Sequence, residues 1–281
     1  MSTNPMTDLL DIMARLRDSK HGCAWDKAQT YQTIVPYTLE EAYEVADAIE
    51  RGAFDELKDE LGDLLFQVVF YSQIAAEERH FEFADCARAI CDKLKRRHPH
   101  VFPIDPTQTT GDQASDATRA LANWEALKQQ ERSAKGQCSV LDDVPAGMPA
   151  LTRAYKLQKR CASVGFDWPD VQGCWDKVQE EIAEVQAEMT LLADGQANQA
   201  ALGEELGDLM FALVNVVRKQ GFQPETLLRQ ANQKFETRFR AVEQQLAARG
   251  KTPAESDLTE MDALWDLVKQ LQKTASGIET K

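Results

Sequence analysis

Apolar residues recur along this chain at intervals of three and four. Between Tyr37 and Ile49 they fall at Leu39, Ala42, Val45, Ala46 and Ile49, the period of one helical face. Leu57, Leu61, Leu64, Leu65 and Val68 repeat that spacing in the next run, and Arg51-Gly52 separates the two, which predicts an antiparallel helix pair. A second pair follows the same pattern late in the chain, with Asp194-Gly195 at its turn. No stretch alternates apolar and polar residues as a half-buried strand would.

The two pairs are copies. ELGDLLFQVVF (60–70) recurs as ELGDLMFALVN (205–215), LEEAYEV (39–45) answers EEIAEV (180–185), DKLKRR (92–97) answers QKFETR (233–238), and NWEALK (123–128) answers LWDLVK (264–269). Four ordered matches about half a chain apart indicate internal duplication, and two copies are too few for a solenoid. Residues 103–118, rich in Pro, Thr, Asp and Gly, read as a loop, and 119–133 as a helical stretch closing the first copy. Gly136, Pro145, Gly147 and Pro149 then mark an interdomain linker. The expected architecture is all-α: two tandem homologous helical-bundle domains, 1–140 and 141–281, each built on an antiparallel helix pair.

Composition narrows the function. Of 281 residues 43% are hydrophobic, enough for packed cores, and 28% are charged. A net charge of −14 argues against binding a nucleic acid polymer, but not against binding one nucleotide through a metal and a few local cations. The longest apolar run, LLFQVVFY (64–71), is too short to span a bilayer, and MSTNPMTDLLDIM has neither a charged nor an apolar leader region. Six cysteines (23, 86, 91, 138, 161 and 174) include no CxxC pair and read as reduced thiols, mostly packing residues. A cytoplasmic protein with no membrane segment is expected.

The helix pairs carry paired acids. Glu41 and Glu44 share a helical face, as do Glu60 and Asp63 on the following helix; the second copy presents Glu181 with Glu184, then Glu205 with Asp208. One such pair is ordinarily a solvated face. Two pairs beside apolar stripes, reproduced across a repeat, point to an oxygen-rich site for a hard cation such as Mg²⁺. Gly62 and Gly207 lie in helix interiors, where glycine costs about 1 kcal/mol relative to alanine, and predict close helix packing beside the acids.

The order ExxE, spacer, ExxD resembles the MazG nucleoside triphosphate pyrophosphohydrolases of the all-α NTP pyrophosphatase superfamily. The likeness covers almost the whole chain, including GCAWD (22–26), RRHPHVF (96–102) and VGFDW (164–168), and is to the two-domain bacterial form. It implies hydrolysis of NTPs and dNTPs to monophosphate and pyrophosphate, with a broad base range and a role in nucleotide-pool control. It implies Mg²⁺, with Mn²⁺ as a substitute, held by Glu181, Glu184, Glu205 and Asp208, and water attacking the α-phosphorus. Catalysis would fall to Glu204 and Glu205, with Glu204 accepting a proton. Nucleotide contacts would fall to Lys177, Glu181, Glu204, Asp208, Lys234, Arg238, Trp265 and Lys269, with Trp265 beside the base or sugar. The first copy repeats the last four as Lys93, Arg97, Trp124 and Lys128, and its Glu41, Glu44, Glu60 and Asp63 would form a second metal site.

The copies differ where Lys177 precedes Glu181 by four residues but Tyr37 precedes Glu41. A phosphate-binding lysine fits the second site, and the resemblance also implies catalysis there, so the second domain is the expected main active site. Ala201 and Gly203 depart from the family, where relatives often carry charge before Glu204.

Other chemistries lack their residues. A di-iron bundle needs Glu-x-x-His, whereas the third position on is Glu or Asp in each pair, and His21, His80, His98 and His100 all precede the second copy. GxxxxGK[ST] is absent. The remaining alternative is a non-enzymatic helical scaffold that binds a protein partner. Broad apolar faces on small helical domains predict a homodimer in either case.

Overall fold

A computed structural model describes residues 4–99, 101–102, 139–196 and 198–275. Among the described residues there are ten α-helices, one 3-10 turn at Pro253–Glu255 and no strand. The chain divides into two compact units, Met1–Arg132 and Ser133–Lys281. The expected loop 103–118 and helical stretch 119–133, with Trp124 and Lys128, lie outside the described residues, as do His100 and Cys138.

The first unit contains α1 (Pro5–Leu16), α2 (Ala24–Ala28), α3 (Tyr31–Arg51), α4 (Phe54–Glu77) and α5 (Phe83–Arg97). Thr30 and Thr33 start α3 with a reciprocal capping box, each side-chain oxygen accepting the other residue's backbone N–H. Gly52 ends it in the left-handed region at φ 68°, where the chain reverses into α4. Met13, Ile34, Val69, Phe70 and Ile74 form the core between α1, α3 and α4. Arg17 seals it: the guanidinium lies 5.4 Å from the Phe70 ring centre, bonds Glu77 through Nε and Nη2, and donates from Nη1 to the Asp26 and Gln29 carbonyls.

The second unit contains α6 (Ala150–Ala162), α7 (Val171–Ala193), α8 (Gln199–Lys219), α9 (Pro224–Ala247) and α10 (Leu258–Ala275). Asp170 caps α7 by accepting from the Gln172 and Gly173 N–H groups, and Asn198 caps α8 through Ala200 and Ala201. Cys174, Val178, Ala212 and Val216 pack α7 on α8; Val242, Leu246, Leu264 and Val268 pack α9 on α10. Helix α6 lies against α8 and α9.

Two expectations need correction. Nothing lies within 4 Å of the position a Cβ would take at Gly62 or Gly207, so neither marks close helix packing inside its unit. Two residues beyond Glu60 or Glu205 a helix has turned about 200°, away from the acidic face. The described cysteines are free, but only Cys174 is buried; Cys23 and Cys91 are exposed. Among the described residues no helix is long and apolar enough to cross a membrane.

Candidate functional site

Helices α7 and α8 hold the acids together. One carboxylate oxygen from each of Glu181, Glu184 and Glu205 lies within 4.8 Å of the others. Glu181 is only 4% exposed. Its Oε1 meets Lys177 Nζ at 2.7 Å, while its Oε2 is buried without a hydrogen-bond partner. Burial first, then the charges of Glu184, Glu181, Asp208 and Glu204, raise the pKa of Glu205 above the ordinary carboxylate range. A buried acceptor left unpaired and a carboxyl crowded by like charges are both unfavourable, and a hard divalent cation relieves both. The residues present fit such an ion.

Lys177 is held on both sides. Its Nζ lies 2.7 Å from Glu180 as well as from Glu181, and these two hydrogen bonds, Glu180's the larger, push its pKa well above the lysine range. The ammonium therefore stays charged at the edge of the acidic cluster.

Lys177, Glu181 and Asp208 line a cleft of about 730 Å³ between α6, α7 and α8. Leu157, Cys161, Phe166, Trp168, Phe211 and Ala212 supply apolar walls, and Gln158, Asn215 and Arg218 supply polar groups. Gly173 positions Trp168: a Cβ there would come within 2.8 Å of the indole ring. Lys219 donates to the Trp168 carbonyl. Lys219 and Arg218 also pair with Asp167 at 2.8 and 2.5 Å. Burial pushes the Asp167 carboxyl up, but the hydrogen bonds from Lys219 and Arg218 outweigh it and hold its pKa below the usual range. The wall is thus anchored by charge where it borders water.

The other expected contacts lie elsewhere in the unit. On the α9–α10 pair, Arg238 stands 5.9 Å from the Trp265 ring centre and donates from Nε to Gln272 at 2.9 Å. Phe235 packs on the same indole at 5.2 Å, Lys269 reaches Asp266 at 3.2 Å, and Lys234 is exposed. None of Lys234, Arg238, Trp265 and Lys269 lines the cleft. Glu204 is exposed and belongs neither to the cleft lining nor to the three-carboxylate group. Gln158, Asn215, Arg218 and Asp167 escape sequence reasoning. The motif VGFDW flags the segment of Asp167, but no spacing signals the others.

The first unit has an acid group of its own, with one oxygen each of Glu41, Glu60 and Asp63 within 4.8 Å; Asp63 takes part there, where the second unit uses Glu184. Burial, then Asp63, Glu44 and Glu60, raises the pKa of Glu41. The surroundings differ. With ELGDL and ExxE aligned between the copies, Phe70 stands at the position of Asn215, Gln67 at that of Ala212 and Tyr37 at that of Lys177. Phe70 is 1% and Gln67 6% exposed, and Tyr37 stacks edge-on against Trp25 at 5.9 Å. Larger or aromatic side chains thus occupy three positions that line the cleft in the second unit.

Residues 29–102, spanning α3 to α5, match the family model of the MazG nucleotide pyrophosphohydrolase domain. The chain is 53% identical over 267 residues to the nucleoside triphosphate pyrophosphohydrolase of Escherichia coli strain K12, covering 95% of this chain and 98% of the relative. It is 37% identical over 262 residues to the nucleoside triphosphate pyrophosphohydrolase/pyrophosphatase MazG of Thermotoga maritima, covering 93% and 94%. The uncharacterized protein YabN of Bacillus subtilis is 40% identical over 262 residues, which make up 93% of this chain but 51% of that one.

Proposed function

We propose, from the premise that this chain belongs to the MazG nucleoside triphosphate pyrophosphohydrolases, that its second unit is the working site and Mg²⁺ its cofactor. The chain is an enzyme that hydrolyses nucleoside triphosphates to monophosphate and pyrophosphate. The observation that carries the assignment to the second unit is the orphaned Glu181 Oε2, set in a carboxylate cluster that opens on a nucleoside-sized cleft.

Glu181, Glu184, Glu205 and Asp208 would hold Mg²⁺, with Mn²⁺ as a substitute. When bound, the ion supplies neutralisation of triphosphate charge. Lys177 then turns from Glu181 toward a phosphate oxygen. The apolar walls take the nucleoside and exclude water from it. Glu204, exposed beside Glu205, accepts the proton of the attacking water. Lys234, Arg238, Trp265 and Lys269 form a cation and aromatic face that we assign to the nucleotide from outside the cleft. The homologous domains are taken as 1–140 and 141–281. The first keeps a metal site at Glu41, Glu44, Glu60 and Asp63, and we assign it a slower or structural role.

A homodimer completes the reading, in a cytoplasmic setting of nucleotide-pool control with neither membrane nor nucleic acid polymer as partner. Ile182, Met189, Leu206, Met210 and Leu213 are exposed on α7 and α8, and Gly203 and Gly207 leave backbone uncovered on the same outer side of α8. A non-enzymatic scaffold could share that face but has no use for the orphaned carboxylate. The test is product identity: α-labelled NTP with Mg²⁺ should yield NMP and pyrophosphate, and orthophosphate as the first product would refute the mechanism.

A further inference from the structure

Gln158 is 8% exposed and lines the cleft from α6. Its Nε2 donates to the Phe211 carbonyl on α8 at 2.8 Å, which fixes the rotamer and the sense of the amide. The Oε1 that remains is buried and has no hydrogen-bond partner. Leaving a buried acceptor unsatisfied is unfavourable by roughly 1–3 kcal/mol, so this one, buried on a residue that lines the cleft, calls for a donor. One turn beyond Phe211, Asn215 lines the same cleft and commits its Oδ1 to Arg218 Nε at 2.9 Å, leaving its amide N–H groups as what it offers a ligand. The residues lining the cleft therefore include one with an unpaired buried acceptor and one with a free amide donor, among aromatic and aliphatic walls.

We propose that Gln158 is a base-reading residue, its Oε1 accepting an N–H from the hydrogen-bonding edge of the nucleobase. This rests on the reading of the cleft as the nucleoside site. Each common base carries an N–H next to an acceptor on that edge: the amine and N1 of adenine, N1–H and O6 of guanine, the amine and N3 of cytosine, N3–H and a carbonyl of uracil or thymine. One acceptor paired with one amide donor accommodates all of them and rejects a base that lacks the N–H. Broad base tolerance and rejection of N–H-free analogues then share one cause.

The experiment compares ATP with purine riboside triphosphate, which lacks the exocyclic amine and has no N–H on that edge. The intact chain should prefer ATP in kcat/KM by roughly tenfold, the scale of one net hydrogen bond. Gln158→Met, similar in size but without the acceptor, should bring that ratio close to one. Gln158→Asn, which withdraws the amide by one methylene, carries the same expectation if the methionine variant does not fold. Calorimetric Kd values for AMP and purine riboside monophosphate repeat the comparison without turnover. A wild type that hydrolyses no NTP would overturn the proposed function while the Kd ratio still tests Gln158. A wild-type ratio of one, or a ratio unchanged in the variants, overturns the assignment and leaves Gln158 as a core amide joining α6 to α8.

Discussion

Lys177 and Glu181 stand one turn apart on α7 with Nζ and Oε1 separated by 2.7 Å, the lysine partly exposed and the glutamate almost fully buried. On the proposed reading the pair couples the two charges the reaction needs: Lys177 neutralises the acid while no cation is bound and becomes available to phosphate when one is. Lys177→Ala is therefore expected to raise KM for NTPs by about tenfold with a smaller fall in kcat, a charge-assisted hydrogen bond being the interaction lost. Metal affinity, measured by calorimetry, should not weaken. An unchanged KM would remove Lys177 from the substrate site.

Matching substitutions in the two units should have unequal effects. Glu184→Ala or Asp208→Ala is expected to lower kcat/KM by on the order of 10²–10³-fold, the scale of losing a preorganised electrostatic partner. Glu44→Ala and Asp63→Ala should leave most activity. Circular dichroism on each variant separates loss of chemistry from loss of fold, and equal losses would mean two working sites.

The crowded carboxyls predict how stability varies with pH. The folded-state pKa values of Glu205, Glu41 and Glu60 are raised by burial first and by neighbouring acids after it. A raised folded pKa contributes stability that is fully present below the unfolded value and is lost as pH rises through the folded one. Asp167 and Glu77 are shifted down and act in the opposite sense, but only below the ordinary carboxylate range. Above the ordinary carboxylate range the raised groups dominate, so Tm of the metal-free protein should fall as pH rises through their folded-state values. Mg²⁺ should raise Tm at neutral pH more than in acid, and EDTA should abolish activity until Mg²⁺ or Mn²⁺ is restored. Glu205→Gln should flatten the pH dependence; the same slope in that variant would place its origin elsewhere.

Gly173→Ala tests the cleft wall. The added Cβ would lie 2.8 Å from the Trp168 ring, so the indole must move. Overpacking of this kind destabilises by about 1–3 kcal/mol. Nucleotide Kd should weaken, and tryptophan fluorescence should shift with it. Native affinity together with native fluorescence would show that Trp168 does not shape the nucleoside site.

Gly207→Ala probes the outer face. Within one chain the added methyl meets nothing, and helix propensity alone favours alanine by about 1 kcal/mol. If a second copy packs there, the methyl should instead weaken the dimer, seen by light scattering as an earlier fall in mass on dilution. Greater stability with an unchanged mass would take this face out of the interface.

Both helix pairs were legible because apolar residues recur at three and four, although Leu39, Ile49, Leu61, Leu65 and Val68 of those stripes stay exposed in the chain, and because Gly52 and Gly195 sit where a left-handed residue must end a helix. The acid cluster was legible because its spacing recurs. Gln158 was not: a glutamine carries no periodic signal, and its meaning lies in a bond to the Phe211 carbonyl 53 residues away. Gly62 and Gly207 misled because a glycine in a helix reports tolerance of close approach but not the side from which anything approaches. The spacings of Lys234 with Arg238 and of Trp265 with Lys269 were each legible on one helix, but the guanidinium of Arg238, 5.9 Å from the Trp265 ring centre, joins two helices and leaves no trace in either spacing.

The substitution of Phe70 and Gln67 for Asn215 and Ala212 bears on how duplicated enzymes divide their labour. Ligand pairing reports where an ion can sit, and by that measure both halves keep a cluster of three acids. Side-chain volume reports where a nucleoside can sit, and by that measure they have parted. A few substitutions on one helix face can retire a pocket from binding while the halves still fold alike. If the first copy is so retired, as proposed, it is free to change its surface under selection for assembly alone.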